Sequence, residues 1–309
     1  MSSTTLVTGA AGFAGSHLVD LLARDGADIV AWRRPGGTAP RAVPATTWAA
    51  VDLLDRAAVR AAIARTRPSM VYHCAGAAHV GRSWDRTENT FAVNVLCTHY
   101  LLDALDREEV SACVMVPSSA LVYASSNEAI SEDHPLVPSS PYGLSKLAQE
   151  MLATRATGRV TVMITRPFNH IGPRQDPFFV ASGFARRIAD IEKGRWEPEI
   201  SVGNLDAQRD LTDVRDTVRA YRLILEQGRP GRPYNVCTGR PTTIRHLLDL
   251  LLARARVPVA VKVDPARYRP NDVPLLLGDP SRLRDELGWT PAISLDRTLD
   301  DLLGYWRMR

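Results

Sequence analysis

Through the first half of the chain, short apolar runs alternate with stretches in which apolar side chains recur three and four positions apart. The first pattern predicts buried strands and the second predicts amphipathic crossover helices. Thr4–Val7 reads as the first strand, and Gly15–Asp25 as a helix burying Leu18, Leu21 and Leu22. Gly26 closes that helix, and Asp28–Trp32 follows as the second strand. A helix over Ala57–Arg65 leads to a strand over Met70–Cys74, and a long helix over Asn89–Leu105 to a strand over Ala112–Pro117. Tyr142–Arg155 is then helical and Thr161–Thr165 extended. This alternation predicts an α/β fold with a Rossmann-like, doubly wound parallel sheet.

After Arg166 the pattern changes. Proline and glycine become frequent, and shorter helical stretches (Phe179–Lys193, Leu247–Arg254, Leu299–Tyr305) are separated by polar turns. The expected organisation is a dinucleotide-binding domain over 1–166, with a return segment near 210–237 in which Tyr234–Val236 rejoins the main sheet. A smaller mixed α/β substrate domain over 167–309 is interleaved with it.

Composition narrows the function without naming it. The 309 residues are 45% hydrophobic and carry a net charge of +4 with both signs interspersed. Basic residues form no run and are not interleaved with aromatics, which argues against nucleic-acid binding. No apolar run approaches the length of a membrane span. Met1–Thr5 leads straight into the first strand without a cleavable leader, so a cytoplasmic location is expected. Cys74, Cys97, Cys113 and Cys237 lack metal-ligand spacing and read as reduced, buried thiols, and no histidine has a partner at helical or turn spacing; no metal site is expected.

Thr8-Gly9-Ala10-Ala11-Gly12-Phe13-Ala14-Gly15 links the first strand to the first helix with GxxGxxG spacing. Glycines let the backbone turn tightly and approach a pyrophosphate at the helix N-terminus. NAD sites place an acid at the end of the second strand to accept from the ribose hydroxyls. This chain instead has Arg33 and Arg34 there, two guanidinium groups suited to a ribose 2′-phosphate. The expected cofactor is therefore NADP(H), with NAD(H) possible. Asp52 and Leu53 are placed to meet the adenine, and the small residues of Cys74-Ala75-Gly76-Ala77 let backbone pass close to the cofactor.

Tyr142 and Lys146 stand four apart on a predicted helix and so share one face. A phenol titrates near pH ~10, and an adjacent ammonium lowers that value. Such a tyrosine can exchange a proton with a carbonyl or hydroxyl oxygen near neutral pH.

With the glycine motif, Ser118-Ser119, Tyr142-x-x-x-Lys146 and a trailing substrate domain, the whole chain resembles the extended short-chain dehydrogenases/reductases, which act on nucleotide-linked sugars. The resemblance implies that Tyr142 is the acid/base, that Lys146 lowers its pKa and holds the nicotinamide ribose, and that Ser119 hydrogen-bonds the reacting oxygen. Asn94 matches the helix asparagine that supports the lysine through water. Dehydratases of this superfamily carry Thr-Asp-Glu where this chain has Ser119-Ala120-Leu121, so elimination of water is disfavoured and ketone reduction or 4-epimerisation remains. Three segments resemble those of GDP-4-keto-6-deoxy-D-mannose reductases: Arg166-Pro167-Phe168-Asn169-His170, 202–214 with Arg209, and 269–274 with Arg269. They imply a GDP-linked sugar whose phosphates and nearby ribose meet Asn169, Arg209 and Arg269. His79 is placed to border the sugar pocket, and His170 reads as structural. The resemblance also implies a homodimer built on the helices carrying Asn94 and Tyr142. Two rival readings are a 4-epimerase holding NAD tightly and a non-catalytic dinucleotide sensor; retention of the serine, tyrosine and lysine argues against the sensor.

Overall fold

A computed structural model describes residues 4–37, 42–156, 158–268 and 273–309. Its first half runs β1 (Thr4–Thr8), α1 (Phe13–Arg24), β2 (Asp28–Arg33), β3 (Thr46–Ala50), α2 (Arg56–Thr66), β4 (Met70–His73), α3 (Val80–Asp85), α4 (Thr87–Phe91), α5 (Cys97–Arg107), β5 (Ala112–Pro117), α6 (Pro141–Ala153) and β6 (Val160–Pro167). The second half runs β7 (Asn169–Ile171), α7 (Val180–Glu192), β8 (Glu199–Val202), β9 (Gln208–Asp213), α8 (Val214–Gln227), β10 (Tyr234–Val236), β11 (Pro241–Thr243), α9 (Ile244–Leu252), β12 (Ala260–Val263), β13 (Leu275–Leu276), α10 (Ser281–Leu287) and α11 (Leu295–Arg307).

Seven strands form one parallel sheet in the order β3-β2-β1-β4-β5-β6-β10. Adjacent residues on a strand point to opposite faces, and both faces are covered. Leu6, Val114 and Val162 pack on one side with Ile63, Leu101 and Leu105; Val7, Met115 and Met163 pack on the other with Leu18, Tyr221 and Ile224. The second half contributes two small sheets, one gathering β7, β9, β11 and β13 and one pairing β8 with β12. A third cluster, including Ile188, Leu247, Leu251 and Leu302, packs its helices together.

The helix expected over Asn89–Leu105 is three pieces. It begins at Thr87, widens into a π-helical turn over Ala92–Leu96, and continues as α5. Helix α3 has no counterpart among the expected elements, because its six residues are too few to show helical periodicity. Helix α6 starts at Pro141 because Ser140 Oγ accepts from Gly143 N at 3.1 Å and proline suits a first helical position. Among the described residues, no helix is long and apolar enough to cross a membrane, and no three His, Cys, Asp or Glu side chains converge as metal ligands.

Candidate active site

The parallel strands end together, and the loops leaving β1, β4 and β5 gather beside the N-terminal half of α6. At the end of β1, Gly9 has φ +64°, and a Cβ there would lie 2.6 Å from Ala75 N. A Cβ on Gly15 would lie 2.3 Å from Gly9 O. The loop can adopt this path only with bare backbone at both points. Gly12 caps α1 without a side-chain hydrogen bond, and no acid occupies the first turn. The amide groups of the first turn are thus left to an anion, which is what a pyrophosphate requires. Phe13 stacks on His170 at 5.6 Å, Ala14 is half-buried, and burial lowers the pKa of His170.

Arg33 is half-buried at the end of β2 and Arg34 exposed beyond it. Among the described residues neither guanidinium has a side-chain hydrogen bond or ion pair, so both are free to meet a phosphate. Asp52 is exposed and caps its own loop by accepting from Leu54 N at 3.0 Å; Leu53 packs against the core.

Beyond β4, Ala75 N donates to Thr8 Oγ1 at 3.3 Å and Ala77 N donates to Asn94 Oδ1 at 2.8 Å. Asn94 sits in the π-helical turn and is fully buried. Its amide nitrogen donates to Ala77 O at 3.3 Å and to Ser145 Oγ at 2.9 Å, and Ser145 Oγ donates to Tyr142 O at 2.7 Å. The extra residue of a π turn re-aims side chains within an otherwise regular helix. Here it fastens the loop after β4 to the turn of α6 that carries Tyr142. Every polar atom of the Asn94 side chain is used in this strut, and among the described residues none of its hydrogen bonds reaches Lys146. Burial pushes the Cys74 thiol up to about 12, which makes it an inert packing group.

Ser119 lies at the end of β5. Its Oγ accepts from Leu121 N at 3.1 Å, so it caps the short turn over Ala120–Val122, and its hydroxyl faces the Tyr142 phenol. Burial raises the Tyr142 pKa above the ordinary phenol value, and the neighbouring Ser119 hydroxyl opposes that rise. The expected lowering by Lys146 is absent from this balance. The Lys146 ammonium donates instead to Gln149 Oε1 at 2.5 Å, and burial lowers its own pKa to about 7. At that pKa the lysine carries its charge for only part of the time at neutral pH. Ser118 Oγ, next to Ser119, is buried and lacks a hydrogen-bond partner among the described residues, as expected where a ligand is to be received.

The base of α6 is held by a buried ion pair. Arg166 donates to Glu150 at 2.5 and 3.1 Å and to Tyr123 Oη at 2.9 Å. This pair ties the catalytic-helix candidate to β6 and accounts for the arginine that opens the Arg166–His170 motif.

His79 precedes α3, stacks on Phe179 at 5.0 Å and lies 3.9 Å from Asp176. Burial lowers its pKa, with Asp176 opposing. Asn169 is exposed on β7. Arg209 on β9 donates to Gln208 O at 2.8 Å and Val273 O at 2.7 Å, which ties it to backbone near the segment 269–272. Arg269 lies outside the described residues. The sequence reading did not single out His73, Thr98 and Gln149. These form a buried polar chain behind Lys146, and the one signal available was a histidine ending the otherwise apolar strand β4.

Across residues 6–302 the chain matches the family described as GDP-mannose 4,6 dehydratase. It is 35% identical to the GDP-6-deoxy-D-mannose reductase of Pseudomonas aeruginosa, over 100% of this chain and 99% of that one. Its structure resembles that of RMD from Pseudomonas aeruginosa complexed with NADPH, with a TM-score of 0.86, 32% identity and 99% of both chains covered. It also resembles a Thermus thermophilus UDP-glucose 4-epimerase complexed with NAD, with a TM-score of 0.87, 29% identity, and 98% of this chain and 99% of that one covered. With the match running nearly end to end, the chain belongs to the GDP-mannose 4,6-dehydratase family of extended short-chain dehydrogenases/reductases.

Proposed function

We propose that this protein reduces the C4 ketone of a GDP-4-keto-6-deoxyhexose with NADPH, converting GDP-4-keto-6-deoxy-D-mannose to GDP-D-rhamnose or its C4 epimer. The observation that carries the reading is the Ser119–Tyr142 pair beside the apolar Ala120 and Leu121. Elimination of water across C5 and C6 of the sugar needs an acid and a base at the two positions after Ser119, and neither side chain there can exchange a proton. Reduction needs one proton donor, and Tyr142 supplies it. Its raised pKa keeps the phenol protonated at neutral pH, the form that donates to a developing alkoxide. Ser119 orients the reacting oxygen, and Lys146 stabilises the phenolate left behind.

Gly9, Gly12, Phe13, Ala14 and Gly15 would hold the cofactor pyrophosphate, Arg33 and Arg34 its 2′-phosphate, and Asp52 and Leu53 its adenine. Cys74, Ala75 and Ala77 would line the remaining length. When bound, NADPH supplies the hydride for C4 of the sugar. Asn169, Arg209, Arg269 and His79 would receive the sugar diphosphate. A homodimer is supported by Leu96, Leu144 and Met151, which are exposed on the π-helical turn and on α6. Those two elements pack side by side, and Leu144 and Met151 lie seven residues apart on one helical face.

The likeness to UDP-glucose 4-epimerases favours a second reading, in which the same residues oxidise and re-reduce C4 with retained NAD. That cycle starts with Tyr142 as a base, which its raised pKa opposes. The test is NADPH oxidation with GDP-4-keto-6-deoxymannose and, as control, dTDP-4-keto-6-deoxyglucose. Oxidation with the GDP sugar alone is expected. Oxidation with neither, together with NAD carried through purification, would replace the reductase with the epimerase.

A further inference from the structure

Lys146 has three N–H donors, and one of them is already committed within the protein. Its acceptor, Gln149 Oε1, belongs to a side chain with no solvent exposure. The orientation of that amide is fixed from behind, because Gln149 Nε2 donates to Thr98 Oγ1 at 2.7 Å. Thr98 spends its hydroxyl hydrogen on Asn94 O at 2.8 Å, so its oxygen only accepts from Gln149 and from His73 Nε2 at 3.0 Å. His73 therefore carries its hydrogen on Nε2, which leaves Nδ1 to accept from Thr8 Oγ1 at 2.8 Å. Thr8 Oγ1 in turn accepts from Ala75 N at 3.3 Å.

This donor and acceptor assignment satisfies every member of the chain at once. A flipped Gln149 would set its NH₂ against the ammonium and its oxygen against an accepting hydroxyl. His73, Thr98 and Gln149 are all fully buried, and the chain runs from the strand that opens the glycine loop to the lysine beside the candidate acid.

We propose that Gln149, locked by Thr98 and His73, is the positioning residue for Lys146, holding the ammonium by one N–H and leaving two N–H groups for ligand. A neutral acceptor suits this task. A carboxylate would capture the ammonium as an ion pair, and an apolar side chain would let it turn away. The charged and titratable groups facing Lys146 are Cys74 and His73 at the end of β4, Glu150 on α6, and Tyr142 one turn earlier. Burial holds the Cys74 thiol protonated and His73 neutral at physiological pH, which leaves Gln149 and Glu150 to stabilise the charged lysine. The consequence for catalysis rests on the reductase reading, but the positioning itself can be measured without turnover.

The chain contains three lysines, Lys146, Lys193 and Lys262, so Lys193→Arg with Lys262→Arg leaves one lysine signal after carbon-13 labelling at Cε. In the full-length protein that signal is expected to titrate near about 7. Gln149→Glu is expected to raise the midpoint by about one pH unit or more, and Gln149→Met to lower it. Thr98→Val should move it the same way as Gln149→Met, and Thr98→Ser should restore it, which separates lost positioning from general loosening. Midpoints that agree across these variants would overturn the proposal, as would an unsubstituted protein whose His73 imidazole nitrogen-15 shifts place the hydrogen on Nδ1. With the GDP sugar, the alkaline limb of kcat should move in the same order. A wild type that fails to turn over that sugar counts against the reductase reading alone, because the lysine titration still decides the positioning.

Discussion

At the end of β1 the backbone has one passable route. Gly9 and Gly15 lie so close to Ala75 and to each other that any side chain would collide with main-chain atoms. On the proposed substrate side the constraint is of another kind. Arg209 is held by two carbonyl groups, and His79 by an aromatic stack and a distant carboxylate. These are contacts among long or rotatable side chains that could be exchanged for others at modest cost. One region is specified by backbone exclusion and the other by a choice of partners. Damage should therefore be abrupt in the first and graded in the second.

In the proposed reaction both regions serve Tyr142, so the largest loss is expected there. Tyr142→Phe should lower kcat by about 10³-fold while leaving NADPH affinity within about twofold, as removal of a general acid does. Retention of substantial turnover would remove Tyr142 from the chemistry. Gly15→Ala tests the backbone side. Its added carbon must displace Gly9 O, and NADPH affinity, followed by fluorescence titration, should fall by about 10²-fold. Normal affinity would show that the loop yields easily, and the contrast would collapse.

Arg33→Asp exchanges a cation for the acid used by NAD sites. The NADPH-to-NADH preference, as a ratio of kcat/KM, should fall by tens of fold. An unchanged ratio would assign cofactor choice elsewhere. Arg209→Met, on the graded side, should raise KM for the nucleotide sugar about tenfold at constant kcat, the pattern of uniform binding. An equal fall in kcat would mean that the arginine acts in the transition state.

The smallest effect concerns acid stability. Burial lowers His17 to about 4 and His73 to about 3, so both stay neutral in the fold when the unfolded chain takes up protons near pH 6.5. The unfolded state then binds more protons, and stability falls as pH drops below about 6.5. Urea midpoints should follow that slope, and His17→Gln should reduce it. A midpoint flat between pH 7 and 5 would contradict the burial of these imidazoles.

What the sequence displayed plainly was whatever rests on local geometry. The glycine spacing, the short apolar runs of the strands and the i, i+4 tyrosine and lysine each follow from distances along one element. Side-chain choice across elements was less visible. Nothing in the periodicity announces that the helix carrying Asn94 widens by one residue, nor that its amide would engage Ala77 and Ser145. The expected effect of Lys146 on the phenol fails for the same reason. Proximity along α6 was legible, but the depth of burial was not, nor that Gln149 on the same helix would take the ammonium, oriented by Thr98 of α5 and His73 of β4. Nor does spacing show that the Ser119 hydroxyl caps the turn over Ala120–Val122.

One feature of the sheet bears on how the molecule is made. Strand β10 pairs with β6, yet its residues follow β6 in the chain by more than sixty positions. During synthesis the sheet is therefore left with an open edge at β6 while β7, α7, β8, β9 and α8 emerge. An unpaired row of amides and carbonyls is an invitation to intermolecular pairing. A product cut after Pro167 would keep that edge exposed for good and would tend to aggregate. The main sheet of the first half is thus completed only when part of the second half has been made.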